Sequence, residues 1–172
     1  IQELVDARYL VDEKEDERKV LNKKNVVWLQ SFREKKTIRL LDLMISENCN
    51  FGCPHCLHSR SIDVTGSHGK KKFMDFETTK KSINVYYELL WGADPNLSGN
   101  IHFGSAEPLL NWDVLKQACL YAKEKDPKCL LSMNSNITLL TEEQARFCTE
   151  NDIYISTSLD GPPEGNDKIR FY

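Results

Sequence analysis

Cys49-Asn50-Phe51-Gly52-Cys53-Pro54-His55-Cys56 is the stretch from which the fold of this 172-residue chain can be worked out. It follows an apolar run, residues 38–45, whose length and composition predict a buried β-strand. The cysteines have the spacing C-x3-C-x2-C, so a single loop after the strand carries three thiols. Such a loop is typical of a metal or iron–sulfur site, because thiolates are ligands for both.

The number of cysteines in this loop is informative. A [4Fe–4S] cluster normally takes four thiolate ligands, and the loop supplies three. A cluster held here would keep one iron without a protein ligand, and that iron could bind a small molecule and pass it an electron. The remaining cysteines, Cys119, Cys129 and Cys148, stand singly within predicted helices and a predicted strand.

A zinc site or a disulfide framework would also use closely spaced cysteines. A C-x2-C pair is often half of a zinc site, whose further ligand here would be His55, His58 or His68. A disulfide framework would need an oxidising compartment, which nothing in the sequence indicates. A non-enzymatic iron–sulfur or zinc-binding module is therefore one function that these cysteines allow, and an enzyme is the other.

Charge and hydrophobicity exclude some classes of protein. The formal net charge of −3 gives no indication of electrostatic binding to nucleic acid. Hydrophobic residues make up 40% of the chain, yet no apolar run approaches the ~18 residues that a membrane span requires. Nothing in the opening residues predicts a secretory leader. We therefore expect a cytoplasmic protein without nucleic-acid or membrane partners.

Short apolar runs alternate with segments of helical period from residue 38 onward. The runs are residues 38–45, 101–103, 129–133 and 153–158. Between them, apolar positions recur at i, i+3, i+4 and i+7, as in Ile83, Tyr86, Tyr87, Leu90 and in Leu115, Ala118, Cys119, Ala122. This alternation predicts an α/β fold with at least four parallel strands. Residues 1–37, with a long charged run, are predicted to be an N-terminal extension or linker.

Several residues predict where the helices begin and end. Asp75 and Asn111 are predicted N-caps, and Thr141 with Gln144 has the spacing of a capping box. Gly92 is predicted to end the first of the helices.

Polar segments follow the ends of the later strands as well. They are Phe103-Gly104-Ser105-Ala106-Glu107-Pro108, Ser135-Asn136-Ile137-Thr138-Leu139-Leu140 and Ser156-Thr157-Ser158-Leu159-Asp160-Gly161-Pro162. Parallel-sheet enzymes place their chemistry at the carboxyl ends of the strands. We therefore expect these segments and the cysteine loop to meet at one edge of the sheet.

The four segments, in this order, resemble those of the radical S-adenosylmethionine (SAM) enzymes over residues 38–170. The resemblance implies that Cys49, Cys53 and Cys56 bind a [4Fe–4S] cluster whose open iron holds SAM. It also implies reductive cleavage of SAM to a 5'-deoxyadenosyl radical. The fold implied is a partial (β/α)6 TIM-like barrel, of which about four parallel βα units are present.

The resemblance further implies which residues bind SAM. His55 stands where an aromatic ring packs near the adenine, and Ser158 where a serine reaches the carboxylate or ribose. The segment containing Glu107 is similar to a Gly-Gly-Glu-Pro element that contacts the amino group of SAM. The implied cofactor-binding residues are His55, Ser105, Ala106, Glu107, Asn136 and Ser158.

Three positions depart from the family pattern. Ser105 and Ala106 replace two glycines, and as small residues they still allow the backbone to approach a ligand closely. Ile137 replaces a third glycine, so either the turn differs there or Ile137 adopts an unusual backbone conformation. Glu107 also has a possible structural role, because it could cap the helix that follows. Arg170 is expected to tie down its own loop.

The segments look most like those of enzymes that mature ribosomal peptides and sulfatases. This implies a radical SAM enzyme that forms a thioether or carbon–carbon link, or makes a related change, in a peptide or protein substrate. It also implies an external low-potential electron donor such as flavodoxin or ferredoxin. Such enzymes usually add a C-terminal cysteine-rich domain. Because the barrel of the family has about six strands and four are counted here, we expect residues 38–172 to be the N-terminal part of the catalytic domain. The alternative within the family is an enzyme that acts on a small molecule.

Overall fold

Residues 38–56, 72–104 and 106–171 are described by the computed structural model of the chain. His58, His68 and Ser105, which the sequence analysis named, lie outside these ranges. The chain divides into two units at the boundary between Thr37 and Ile38. That residues 1–37 serve as an extension or linker stays a prediction.

A parallel sheet of four strands forms the centre of the second unit. Its strands are β1 (Leu41–Leu43), β2 (Asn100–Phe103), β3 (Leu130–Asn134) and β4 (Ile153–Ser156), and they lie side by side in chain order. This confirms the predicted α/β architecture. β4 ends earlier than its apolar run does, so Ser158 lies in the loop after the strand.

Four helices connect or follow the strands in the described ranges. They are α1 (Phe76–Ala93), α2 (Trp112–Lys125), α3 (Glu142–Glu150) and α4 (Pro163–Ile169). A short 3-10 turn, Pro108–Asn111, leads directly into α2. Every strand after β1 is therefore reached through a helix, which is the crossover that parallel pairing requires.

The predicted helix ends are mostly confirmed. The carboxylate of Asp75 accepts a hydrogen bond from the Thr78 N–H at 2.7 Å and caps α1, which ends one residue beyond Gly92. Thr141 and Gln144 form the predicted capping box of α3. Asn111 precedes α2 but makes no capping bond. Its side-chain amide instead donates to the carbonyl oxygens of Ile45 (2.8 Å) and Met74 (2.9 Å), because it lies between these two chain segments.

The core lies between the sheet and helices α1, α2 and α3. Alternate strand residues are fully buried there, among them Ile101, Phe103, Leu131 and Met133. The intervening residues of the strands face the other way: His102 is half-buried, and its Nδ1 lies 2.9 Å from the Ser132 hydroxyl. His102 therefore has a structural role within the sheet.

Asp126 organises the opposite, amino-terminal edge of the sheet. Its buried carboxylate accepts hydrogen bonds from the N–H of Gly99 at 2.7 Å, the N–H of Lys128 at 3.0 Å and the hydroxyl of Tyr87 at 3.4 Å. The residue thus joins the start of β2, the turn before β3 and helix α1. Among the helices in the described ranges, none combines the length and apolar character that a bilayer crossing demands.

Replacement of Asp126 by alanine tests this junction. Three donors would lose their acceptor in a buried place, so we expect Asp126→Ala to lower the free energy of unfolding by about 3 kcal/mol in urea titrations. Asp94→Ala is the matched control, because Asp94 accepts its hydrogen bonds within an exposed turn. The control should cost under about 1 kcal/mol, and equal losses in the two variants would contradict the role given to Asp126.

Candidate functional site

A cavity opens at the carboxyl ends of the four strands. Its volume is about 520 Å³, within the range of roughly 300–1,000 Å³ typical of small-molecule sites. All four strand-end segments contribute to its walls, so the predicted meeting of these segments is observed. The lining residues are Cys49, Phe51, Cys53, His55, Cys56, Ala106, Asn134, Ser135, Asn136, Ser156, Thr157, Ser158 and Arg170. We call it the strand-end cavity.

The three cysteines of the motif share this cavity and differ in exposure. Cys53 is buried, Cys56 is half-buried and Cys49 is exposed. No group of three or more His, Cys, Asp or Glu side chains in the described ranges converges to hold a single metal ion. A four-iron cluster needs no such convergence, because each of its cysteines binds a different iron. Three thiols around an open cavity therefore fit a cluster with one iron left for a ligand.

Hydrogen bonds with two other segments hold the cysteine loop. The backbone N–H of Glu107 donates to the carbonyl oxygen of Asn48 at 2.8 Å, just before the first cysteine. The N–H of Gly52 donates to the carbonyl oxygen of Phe171 at 2.8 Å. The loop is thus fixed from the end of β2 on one side and from the segment after α4 on the other.

The sulfur of Cys49 lies close to two N–H donors. The backbone nitrogen of Phe51 is 3.4 Å away and the side-chain nitrogen of Asn136 is 3.6 Å away. Although the residue as a whole is exposed, its sulfur is partly shielded from water. This shielding raises the pKa of the Cys49 thiol, and the two hydrogen bonds only partly oppose the effect. A metal that binds here must therefore displace a proton from Cys49.

Glu107 lies beneath the wall of the strand-end cavity. Its side chain is completely buried and accepts hydrogen bonds from Leu109 N–H (3.0 Å), Ser135 Oγ (2.8 Å) and Asn136 N–H (2.8 Å). The first of these bonds caps the 3-10 turn, which is the structural role considered for Glu107. The other two connect the end of β2 to the end of β3. Contact between Glu107 and SAM stays a prediction.

Two residues at the cavity have left-handed backbone conformations. Ala106 has a φ of 30° and Ile137 a φ of 57°, at positions where the family pattern has glycine. Left-handed backbone is uncommon for non-glycine residues and unusual for a β-branched one. The unusual backbone expected at Ile137 is therefore found.

An ion pair joins Asp160 to Arg170, a residue of the cavity wall. The Asp160 carboxylate lies 2.5 Å from Nε of Arg170 and 3.8 Å from Nε2 of His55. Arg170 ties down its loop, as predicted, but it also lines the strand-end cavity. Sequence reasoning left it out of the cofactor-binding set, together with Phe51, Ser135 and Thr157. Phe51, Ser135 and Thr157 lie inside the strand-end segments, which was the available signal for them, whereas Arg170 lies beyond these segments.

Comparison with known proteins gives one family match. The family model described as the Radical SAM superfamily matches residues 43–171. This range contains all three motif cysteines and all four strand-end segments.

Two curated relatives and one solved structure extend this match. Fe-coproporphyrin III synthase of Methanosarcina barkeri is 29% identical over 143 residues, 83% of this chain and 32% of that protein. The cysteine-type anaerobic sulfatase-maturating enzyme of Clostridium novyi is 28% identical over 141 residues, 78% of this chain and 36% of that protein. The structure of anSMEcpe with bound AdoMet and Cp18Cys peptide is 25% identical and has a TM-score of 0.58, covering 77% of this chain and 34% of that one. The chain spans about a third of the length of each of these proteins.

The strain in the Ile137 backbone can be tested by measuring how a glycine at this position changes the free energy of unfolding. Glycine there removes about 1–2 kcal/mol of left-handed backbone strain and adds a smaller entropy cost in the unfolded chain. We expect Ile137→Gly to raise the free energy of unfolding by about 0.5–1 kcal/mol. Leu159→Gly serves as the control, because Leu159 is 77% exposed and does not have a positive φ. Leu159→Gly should lower the free energy of unfolding. If Ile137→Gly lowers it as well, the backbone at Ile137 is not strained.

Proposed function

The chain belongs to the radical SAM superfamily, and on this premise we propose that it is the N-terminal part of the catalytic domain of an enzyme that modifies a ribosomal peptide or protein. The observation that carries this proposal is that the three motif cysteines line one cavity together with residues from the three other strand ends. When bound, a [4Fe–4S] cluster and SAM would supply reductive cleavage of the sulfonium and a radical that takes a hydrogen atom from the substrate.

The cysteine loop would hold the cluster. Cys49, Cys53 and Cys56 provide the thiolates, and the two backbone bonds at Asn48 and Gly52 fix the loop before a cluster is present. Such fixed geometry reduces the ordering that binding requires.

The remaining walls would hold SAM. Ser158 and Arg170 lie on the cavity wall, where a hydroxyl and a cation suit a carboxylate. Asp160 holds Nε of Arg170, so that the other guanidinium nitrogens keep a fixed direction. Ala106 brings its backbone to the cavity wall, and His55 offers a ring there. These roles, and contact between Glu107 and SAM, are proposals for this chain.

A peptide or protein substrate is supported by the sulfatase-maturating relative and by the peptide-bound neighbour. The product would be a thioether, a carbon–carbon link or a related modification. We propose further that the electron comes from an external low-potential donor such as flavodoxin or ferredoxin, and that the protein acts in the cytoplasm. A small-molecule substrate is the second candidate, because the similarity to Fe-coproporphyrin III synthase is equally strong.

The test is formation of 5'-deoxyadenosine by the full-length protein. After anaerobic reconstitution with iron and sulfide, wild type given dithionite and SAM should form 5'-deoxyadenosine, and Cys53→Ala should fall to background because a ligand is lost. Cys148→Ala is the control, since Cys148 is buried in α3 away from the cavity. It should keep the wild-type rate. Stoichiometric zinc with no product from wild type would contradict the proposal and favour a metal-binding module.

The substrate class can be tested in the same assay. Short cysteine-containing peptides should increase 5'-deoxyadenosine formation above the rate without substrate, whereas Fe-coproporphyrin III should not. The reverse result would favour the small-molecule candidate.

A further inference from the structure

The side-chain amide of Asn136 lies between the first motif cysteine and its neighbour. Its Nδ2 is 3.6 Å from the sulfur of Cys49 and 2.8 Å from Oδ1 of Asn50. An amide nitrogen carries two hydrogens. One is directed at Asn50 and the other is left for the sulfur.

Neighbouring donors fix the orientation of this amide. The backbone N–H of Thr138, which can only donate, lies 3.1 Å from Oδ1 of Asn136. The oxygen of the amide must therefore face Thr138, and the nitrogen must face Cys49 and Asn50. The flipped orientation would bring two donors together.

A closed ring of hydrogen bonds reinforces this orientation. Asn136 Nδ2 donates to Asn50 Oδ1, and Asn50 Nδ2 donates to the Thr138 hydroxyl at 2.9 Å. The Thr138 hydroxyl in turn donates to Asn136 Oδ1 at 2.7 Å. Each group in the ring donates once and accepts once, so that reversing the amide would break the ring.

The backbone beneath the ring is also fixed. The N–H of Asn136 donates to the buried carboxylate of Glu107, and the N–H of Ile137 donates to the hydroxyl of Ser135 at 2.9 Å. The left-handed backbone at Ile137 turns the N–H of Thr138 back toward the Asn136 side chain. The side-chain N–H of Asn136 is thus directed at the sulfur of Cys49 by the ring and by the bonds to the backbone beneath it. The residues involved are Asn50, Glu107, Ser135, Ile137 and Thr138.

We propose that Asn136 is a positioning residue for the cluster, whose N–H···S bond to Cys49 raises the cluster's reduction potential. This inference rests on the proposed function, because it requires a cluster on Cys49. Uptake of one electron from a reductant such as dithionite adds negative charge that is shared with the cysteine sulfurs. A hydrogen bond to such a sulfur stabilises the reduced state more than the oxidised one. Asn136 therefore acts on the cluster through Cys49, whereas its family resemblance placed it at SAM.

The test is a potentiometric titration of the reconstituted full-length protein, followed by EPR of the reduced cluster and without SAM. Asn136→Ala should lower the ratio of reduced to oxidised cluster at a given potential by about three- to tenfold, where tenfold corresponds to about 59 mV for one electron. Asn136→Asp has nearly the same shape but offers a carboxylate in place of the donor, so it should lower the ratio further. The aspartate variant decides the question if the alanine variant takes up too little iron.

Asn151→Ala is the matched control. Asn151 is also an asparagine whose amide donates to a neighbour, the carbonyl oxygen of Phe147 at 2.9 Å, but it follows α3 and does not line the strand-end cavity. Its substitution should leave the potential unchanged at full iron content.

Three results would overturn the inference. The first is an unchanged potential in both Asn136 variants at full iron content. The second is a wild-type protein that takes up no cluster, which would remove the proposed function as well. The third is weaker SAM binding in equilibrium dialysis without a change in potential, which would place Asn136 at SAM. If a cluster forms and SAM is not cleaved, the proposed function fails and the potentials still decide the role of Asn136.

Discussion

The buried carboxylate of Glu107 joins three parts of the site. The carboxylate accepts hydrogen bonds from the N–H of Leu109 and, at the end of β3, from the hydroxyl of Ser135 and the N–H of Asn136. The backbone N–H of Glu107 donates to the carbonyl oxygen of Asn48, just before the cysteine loop. An unpaired carboxylate in this place would cost several kcal/mol, and three donors compensate it. No buried side-chain N or O atom in the described ranges lacks a hydrogen-bond partner. The spacing of the strand ends therefore depends on one side chain that does not line the cavity.

The turns above Glu107 keep a shape that suits glycine although their residues are not glycine. Ala106 and Ile137 adopt positive φ because the hydrogen bonds around them are worth more than the local strain. At Ile137 those bonds include the ones that orient the Asn136 amide. The hydrogen bonds of this segment therefore hold the Asn136 amide next to Cys49, and the strained backbone at Ile137 is part of the same turn.

The periodicity of the chain was sufficient to predict the four parallel strands, the two apolar helices and the edge of the sheet where the site lies. The radical SAM resemblance and the partial (β/α)6 barrel are confirmed by the family match and the solved neighbour.

What the sequence could not provide is the direction of side chains. Glu107 is conspicuous next to Pro108, yet only the packing of β2 against β3 shows that its carboxylate bonds to Ser135 and Asn136 at the end of β3. Asn111 has the position of an N-cap, yet its amide nitrogen donates to the carbonyl oxygens of Ile45 and Met74, and these tertiary bonds fix the direction of the side chain. The ring of Asn50, Asn136 and Thr138 spans more than 80 residues of sequence, so no local pattern could reveal it.

The central claim is that three cysteines hold a four-iron cluster and leave one iron open to SAM. Mössbauer spectra of the full-length protein reconstituted with ⁵⁷Fe test it most directly. The account predicts that addition of SAM changes the spectrum of about one quarter of the iron, because only one of four irons lacks a cysteine ligand. Spectra in which SAM changes no iron, or a purified protein that holds zinc in place of iron, would contradict the account.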